Sequence, residues 1–224
     1  MKFLILANGE YGELDWYRKQ QGFDRVICAD AGASMALQIG IEPQLVIGDL
    51  DSIGKKELEQ LKTAGCRFLV YPVEKDYTDT HLALMLAEKE GATEVTVWGG
   101  TGSRLDHTLG SIFSAAVLAE QGIAVRFASP AQMIYLVCDE LRLPGCPGET
   151  VSVMALVGRA RGVTLEGFYY PLSGVTLETR STLGVSNVIT TPDPLIRVEQ
   201  GILTVFHYPT VKKRSEAGGQ SGGW

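Results

Sequence analysis

Acidic residues recur directly after short apolar runs. Asp30 follows Val26-Ile27-Cys28-Ala29, Asp49 and Asp51 follow Val46-Ile47-Gly48, and Asp76 and Asp79 come a few residues after Leu69-Val70-Tyr71. Carboxylates gathered in one place repel one another unless protons or a cation compensate, so such a group has the chemistry of a divalent-metal site. Asp49 and Asp51 stand two residues apart and, in extended chain, face the same side with Cα atoms roughly 6.5 Å apart. Mg²⁺ holds its oxygens at about 2.0 to 2.1 Å. Both acids therefore reach one ion directly only if the backbone bends, which Gly48 would permit; otherwise one acts through a retained water. Taken singly, each acid also has a plainer use: Asp79 as the cap of a helix from Thr80, Asp49 or Asp51 as the closure of a turn before Gly54.

A second feature is Gly99-Gly100-Thr101-Gly102-Ser103-Arg104, which follows Val95-Thr96-Val97-Trp98 and precedes a helical pattern. Backbone N–H groups and a helix N-terminus in that setting hold phosphate, and the Arg104 guanidinium matches phosphate oxygens. The segment lacks the Gly-Lys-Ser/Thr ending of a Walker loop and the third glycine of a dinucleotide fingerprint, so a tight turn that needs glycine is the competing use. Asp106 and His107 come next, with a helix cap and a helix-face histidine as their simpler roles.

The elements that must position these residues follow from periodicity. Apolar runs at Phe3 to Ala7, Arg25 to Ala29, Leu45 to Gly48, Arg67 to Tyr71, Glu94 to Trp98 and Ala124 to Ala128 read as strands of a mostly parallel sheet. Helical spacing fills Ala33 to Ile39, Lys55 to Ala64, Thr80 to Glu90 and His107 to Gln121, and Gly40, Gly65, Gly91 and Gly122 stand just past the ends, where a left-handed cap suits glycine. From about Gln132 the pattern changes to alternating Val, Leu, Thr and Tyr broken by Pro and Gly. An antiparallel sandwich is expected there, with strands at Thr150 to Leu156, Arg161 to Leu165, Gly174 to Glu178 and Ile202 to Tyr208. The expected division is an α/β domain over 1–130, a β-sandwich domain over 131–210 and a flexible Gly/Ser-rich tail over 211–224.

Composition narrows the partners. A net charge of -6 disfavours nucleic acid, since only Lys212, Lys213 and Arg214 cluster. No apolar run is long enough to span a bilayer, and the first ten residues read as a buried strand rather than a secretory signal. Cys28, Cys66, Cys138 and Cys146 form no C-x-x-C, so free, mostly buried thiols in a reducing cytoplasm are expected.

Together these segments resemble the thiamine diphosphokinase family along nearly the whole chain. Ala29-Asp30-Ala31-Gly32-Ala33 is similar to the family's Ala-Asp-Gly-Gly-Ala, Gly48-Asp49-Leu50-Asp51-Ser52 to Gly-Asp-x-Asp-Ser, and Lys75-Asp76-Tyr77-Thr78-Asp79 to Lys-Asp-x-Thr-Asp. Gly99-Gly100 followed by Arg104-Leu105-Asp106-His107 looks like the family's Gly-Gly and Arg-x-Asp-His segment, and Gly184-Val185-Ser186-Asn187 like the Ser-Asn segment associated with thiamine. The resemblance implies an α/β nucleotide-binding domain joined to a β-sandwich, assembled as a homodimer with thiamine near the subunit boundary, and Mg²⁺-dependent transfer of diphosphate from ATP to thiamine.

By matching position, Asp49, Asp51 and Asp79 would bind Mg²⁺ and the ATP phosphates. Asp30, Gly32, Lys75, Asp76, Thr78, Gly100 and His107 would complete the ATP site, Arg104 and Asp106 would line the reaction centre, and Ser186 and Asn187 would border thiamine. Tyr169 or Tyr170 could stack on thiamine or pack the sandwich core. Two positions depart from the pattern: Ala31 replaces a glycine, and His81 stands where bacterial members often carry an acid. The competing functions are transfer to another small alcohol, nucleotidyl transfer, and a noncatalytic nucleotide or thiamine sensor.

Overall fold

The computed structural model describes residues 1–210; the expected tail over 211–224, with its Lys212, Lys213 and Arg214 cluster, lies outside the described residues. The first half alternates strand and helix: β1 (Lys2–Leu6), α1 (Leu14–Arg18), β2 (Arg25–Ala29), α2 (Gly32–Ile39), β3 (Leu45–Gly48), α3 (Lys55–Thr63), β4 (Arg67–Val70), α4 (Asp79–Lys89), β5 (Glu94–Trp98), α5 (Leu105–Glu120) and β6 (Ala124–Ala128). These strands pair in parallel in the order β4-β3-β2-β1-β5-β6. The order reverses between β1 and β5, so a crevice opens there beyond the strands' carboxyl ends. Gly40, Gly65, Gly91 and Gly122 carry φ of 88°, 81°, 80° and 84°, the left-handed conformation expected past each helix.

The second half is antiparallel: β7 (Met133–Val137), β8 (Glu140–Arg142), β9 (Thr150–Ala155), β10 (Arg159–Glu166), β11 (Leu172–Glu178), β12 (Asn187–Val188), β13 (Leu195–Arg197) and β14 (Leu203–Tyr208). It does not form a separate pair of sheets. β7 pairs with β6, and β14, β9 and β12 extend the same sheet to ten strands. Only β11-β10-β13-β8 make a second sheet, which covers one face of that extension. Gly162-Val163-Thr164-Leu165-Glu166 and Gly174-Val175-Thr176-Leu177-Glu178, two similar five-residue pieces, fall on the paired strands β10 and β11, with Val163 opposite Val175.

Period-two alternation along β7 shows how one sheet serves both halves. Ile134 and Leu136 join the core beneath α4 and α5, whereas Tyr135 and Val137 point into the sandwich core with Val153, Leu165 and Ile196. A third core on the other face of the parallel sheet packs Tyr17, Ala36 and Leu61 of α1, α2 and α3 against Leu4, Val46 and Trp98. All four cysteines are free; Cys28 and Cys66 are buried, Cys138 is partly covered and Cys146 is exposed. No helix among the described residues is long and apolar enough to cross a membrane.

Candidate active site

A cleft of about 620 Å³ opens at the sheet's reversal point, lined by the segments that follow β1, β2, β3 and β5 and by the approach to α4. Asp30 ends β2 in a left-handed conformation with φ 47°, which Asp tolerates better than most residues. Ser52 Oγ donates to its Oδ1 at 2.5 Å, and its amide donates to Ile47 O at 2.8 Å. Beyond β3 the backbone does bend. Gly48 has φ 149° and Leu50 has φ 66°, and the Asp51 amide donates to Asp49 Oδ1 at 3.1 Å. The expected bend is thus shared between Gly48 and Leu50, and a turn anchored on the Asp49 side chain replaces extended chain.

The result is that Asp30, Asp49 and Asp51 place one ligand atom each within 4.8 Å of one another. An octahedral ion with oxygens at about 2.0 to 2.1 Å separates opposite ligands by about 4.1 Å, so the three carboxylates fit a divalent cation after small side-chain movements. Their electrostatics agree. The Asp51 amide holds the Asp49 carboxyl below the ordinary range, with burial opposing and Lys75 assisting. A shared hydrogen bond with Asp49 and then its charge push Asp51 upward.

Asp79 lies on the same cleft but outside that trio. It opens α4, and the helix is capped not by Asp79 but by Thr78, whose side chain accepts from the His81 amide at 3.2 Å. Asp79 Oδ1 is 3.1 Å from Lys75 Nζ; burial raises its carboxyl, opposed by Lys75. Asp76 is exposed at the rim, and His81 Nδ1 sits 3.1 Å from Ser114 Oγ, its ring 4.7 Å from that of Tyr77.

Across the cleft, the glycine loop runs into α5. A Cβ on Gly100, which lines the cleft, would meet Phe127 at 2.6 Å; one on Gly32, which lies outside the cleft lining, would meet Leu6 O at 2.1 Å, so Gly32 lets the start of α2 pack closely against the end of β1. The Gly102 amide donates to Thr108 Oγ1 at 3.2 Å and the Ser103 amide to Glu10 Oε1 at 2.9 Å. These two amides already have partners. Arg104 and Asp106 are exposed and paired, Nη2 to Oδ2 at 2.7 Å, and Arg104 holds the Asp106 carboxyl below its usual range. His107 lines the same wall.

The segment Asn8-Gly9-Glu10 also lines the cleft and was not among the expected site residues. It follows β1 as Asp30 follows β2, so its position was the signal available.

Ser186 and Asn187 are not part of this cleft. Ser186 is left-handed with φ 58° and its amide donates to Ser152 Oγ at 3.0 Å. Asn187 is buried and brackets Tyr170, accepting from its amide at 2.9 Å and donating to its carbonyl at 2.7 Å. Tyr169 and Tyr170 are 66% and 60% exposed with their rings 4.9 Å apart, which excludes sandwich-core packing for either.

Comparison with known proteins bears on this arrangement. The family model for the thiamin pyrophosphokinase catalytic domain matches residues 18–127, and that for the thiamin pyrophosphokinase vitamin B1 binding domain matches residues 140–203. Thiamine pyrophosphokinase of Bacillus subtilis (strain 168) is 30% identical over 190 residues, covering 80% of this chain and 85% of the relative. The crystal structure of thiamine pyrophosphokinase from Bacillus subtilis superposes with a TM-score of 0.82 at 26% identity, covering 93% of this chain and 99% of that one. Thiamin pyrophosphokinase from Candida albicans shares the fold at 15% identity, with a TM-score of 0.77 over 92% of this chain and 88% of its own.

Proposed function

The chain belongs to the thiamin pyrophosphokinase family, and from that premise we propose that it transfers diphosphate from ATP to thiamine, releasing AMP, in the cleft between the Asp30-Asp49-Asp51 group and the glycine loop. The observation that carries the placement is a trio of carboxylates with ligand atoms within 4.8 Å of one another, of which Asp30 and Asp49 line one cleft with the glycine loop that leads into α5. Residues 1–130 would form the catalytic, ATP-binding part and residues 131–210 the thiamine-binding and dimerising part.

Asp49 and Asp51, with Asp30 and Asp79 beside them, would hold Mg²⁺. When bound, the ion supplies neutralisation of phosphate charge, the main requirement of phosphoryl-type transfer along with positioning. Arg104 extends a guanidinium fork toward the phosphates, and Asp106 sets its direction. Gly100 and Thr78 shape the floor and the start of α4, Gly32 lets α2 begin close behind Asp30, and Lys75, Asp76 and His107 line the walls. The acceptor hydroxyl of thiamine attacks the β-phosphorus and AMP leaves from the opposite side. Its proton passes to solvent rather than to Asp106, whose pairing with Arg104 makes it a poorer base than a free carboxylate.

A homodimer in a cytoplasmic setting completes this reading. Ser186 and the exposed Tyr169 and Tyr170 lie away from the cleft, which suits a partner's sandwich presenting them to it, with the buried Asn187 holding the Tyr170 backbone in place. Exposed Leu105, Leu109, Phe113 and Val117 recur every fourth residue along α5 and offer an apolar surface beside the cleft mouth. Product analysis tests the reaction. AMP formed together with thiamine diphosphate supports it; release of free diphosphate indicates nucleotidyl transfer, and binding of ATP and thiamine without products indicates a sensor.

A further inference from the structure

Residues 72–78 run along one side of the cleft as a strap without regular structure, between β4 and α4, and Val73, Lys75, Asp76, Tyr77 and Thr78 line it. Few contacts hold this strap. Among the described residues its hydrogen bonds stay within the segment, as where Lys75 Nζ donates to Pro72 O at 3.2 Å, or go to the first turn of α4, where Thr78 Oγ1 accepts from the His81 amide at 3.2 Å. Lys75 Nζ is also paired with Asp79 at the start of α4. The strap's aromatic side chain rests on His81: the two rings are 4.7 Å apart and tilted by 57°. A segment with so few anchors opens at little cost in free energy, so the one ring that meets it from the folded body matters.

His81 reaches in the other direction as well. Its Nδ1 is 3.1 Å from Ser114 Oγ on α5, the helix whose first turn carries Asp106 and whose N-cap is Arg104. Ser114 Oγ gives its single proton to Gly110 O at 2.8 Å, so its lone pairs receive the Nδ1–H of His81. One side chain therefore touches the strap through its ring and α5 through its nitrogen, which joins the two walls of the cleft, although His81 itself lies outside the cleft lining. We infer that His81 is a positioning residue that, braced by Ser114, holds the strap so that Lys75 and Asp76 are already in place for the nucleotide, a role that rests on the diphosphotransferase reading and involves no contact with a reactant. Binding then avoids the cost of ordering the strap, which is the benefit of preorganisation. His81 is one of the two positions at which the chain departs from its family's pattern, so the resemblance assigns it no such part.

His81→Phe keeps a ring against Tyr77 but removes the donor, Ser114→Ala removes the acceptor, and His81→Ala removes both contacts. Titration calorimetry of ATP with Mg²⁺ on the full chain reads their effect, with the urea midpoint of each variant verifying its fold. His81→Phe and Ser114→Ala are each expected to weaken ATP by about three- to tenfold, the worth of one hydrogen bond, and the double variant by no more than either alone, because both remove the same bond. His81→Ala should weaken ATP further, while turnover at saturating ATP stays within about threefold of the unmodified protein. Trypsin should cut after Lys75, whose side chain is only 14% exposed, at least about threefold faster in folded His81→Ala. ATP affinity within about twofold of the unmodified protein in His81→Ala, additive losses in the double variant, or unchanged cleavage after Lys75 would each overturn the assignment. The two readings fail separately. Lack of thiamine-dependent AMP formation by the unmodified protein would overturn the activity, whereas ATP affinity and cleavage after Lys75 decide the role of His81 without any turnover.

Discussion

Gly9→Ala is a sharp test of how the cleft is built. A Cβ placed on Gly9 would lie 2.2 Å from Gly99 O and 2.5 Å from Thr101 O. Both are backbone atoms of the glycine loop, so no side-chain rotation relieves the contact. Ordinary contact begins at 3.4 Å, so the loops after β1 and β5 must separate by about 1 Å. Overpacking of that size costs about 1–3 kcal/mol, and a misplacement of about 1 Å at a reacting centre can lower turnover by about 10²-fold. Gly110→Ala is the matched control: nothing lies within 4 Å of its added Cβ in the exposed middle of α5, so it should stabilise by about 0.5–1 kcal/mol. Urea unfolding and steady-state AMP formation on both variants read the two effects. Gly9→Ala with unchanged stability and unchanged turnover would refute the close approach of the two loops.

Three further outcomes follow from particular contacts. Glu149 is buried; burial pushes its carboxyl up, but the Cys146 and Thr210 amides, each at 2.9 Å, and His207 Nε2 at 2.8 Å outweigh this and lower it below the ordinary value of 4.5. Its stabilisation is therefore full above the ordinary value and lost as pH falls through the lowered one, so Glu149→Gln should cost about 1–3 kcal/mol at neutral pH and progressively less in acid, read from urea midpoints across pH. Asp106→Asn should keep turnover within about tenfold, with an unshifted pH–rate profile, because the residue orients Arg104; a loss of about 10²–10⁴-fold would indicate base catalysis. Phe113→Glu should dissociate the proposed dimer to monomers in light scattering and remove activity, while a dimer kept by the variant would exclude the α5 face as its interface.

Legibility in the sequence tracked how local the governing interaction was. β1 to β6 and α2 to α5 were readable because each carries its own apolar period and, after several helices, a glycine that accepts the left-handed cap. α1 spans only Leu14–Arg18 and β12 only Asn187–Val188, too short for a period to register. Pairing was not readable. That β14 inserts between β7 and β9, and that β7 extends the parallel sheet instead of starting a new one, depends on contacts between distant segments. Strand alternation in Met133–Val137 does serve two cores at once, but alternation alone does not say what lies on either face.

The carboxylates were legible because chemistry concentrates after strand ends. Their grouping was less so. Asp30 comes close to Asp49 and Asp51 because Leu50 turns left-handed, a conformation few would assign to leucine from sequence. Asn8, Gly9 and Glu10 were missed because the opening segment was read as strand alone, though the same rule that found Asp30 applies after β1. Tyr169 and Tyr170 looked equally suited to core and surface, since tyrosine is common in strands on either face; only their exposure beside Asn187 separates the two.

The central claim, that the Asp30-Asp49-Asp51 group carries thiamine-dependent diphosphate transfer, is met most directly by one measurement. Purified protein with ATP and Mg²⁺ is assayed for AMP with and without thiamine, beside an Asp51→Ala variant whose fold is verified by its unfolding midpoint. AMP that requires thiamine and disappears in the folded variant is the expected result; thiamine-dependent AMP persisting undiminished in Asp51→Ala would contradict it.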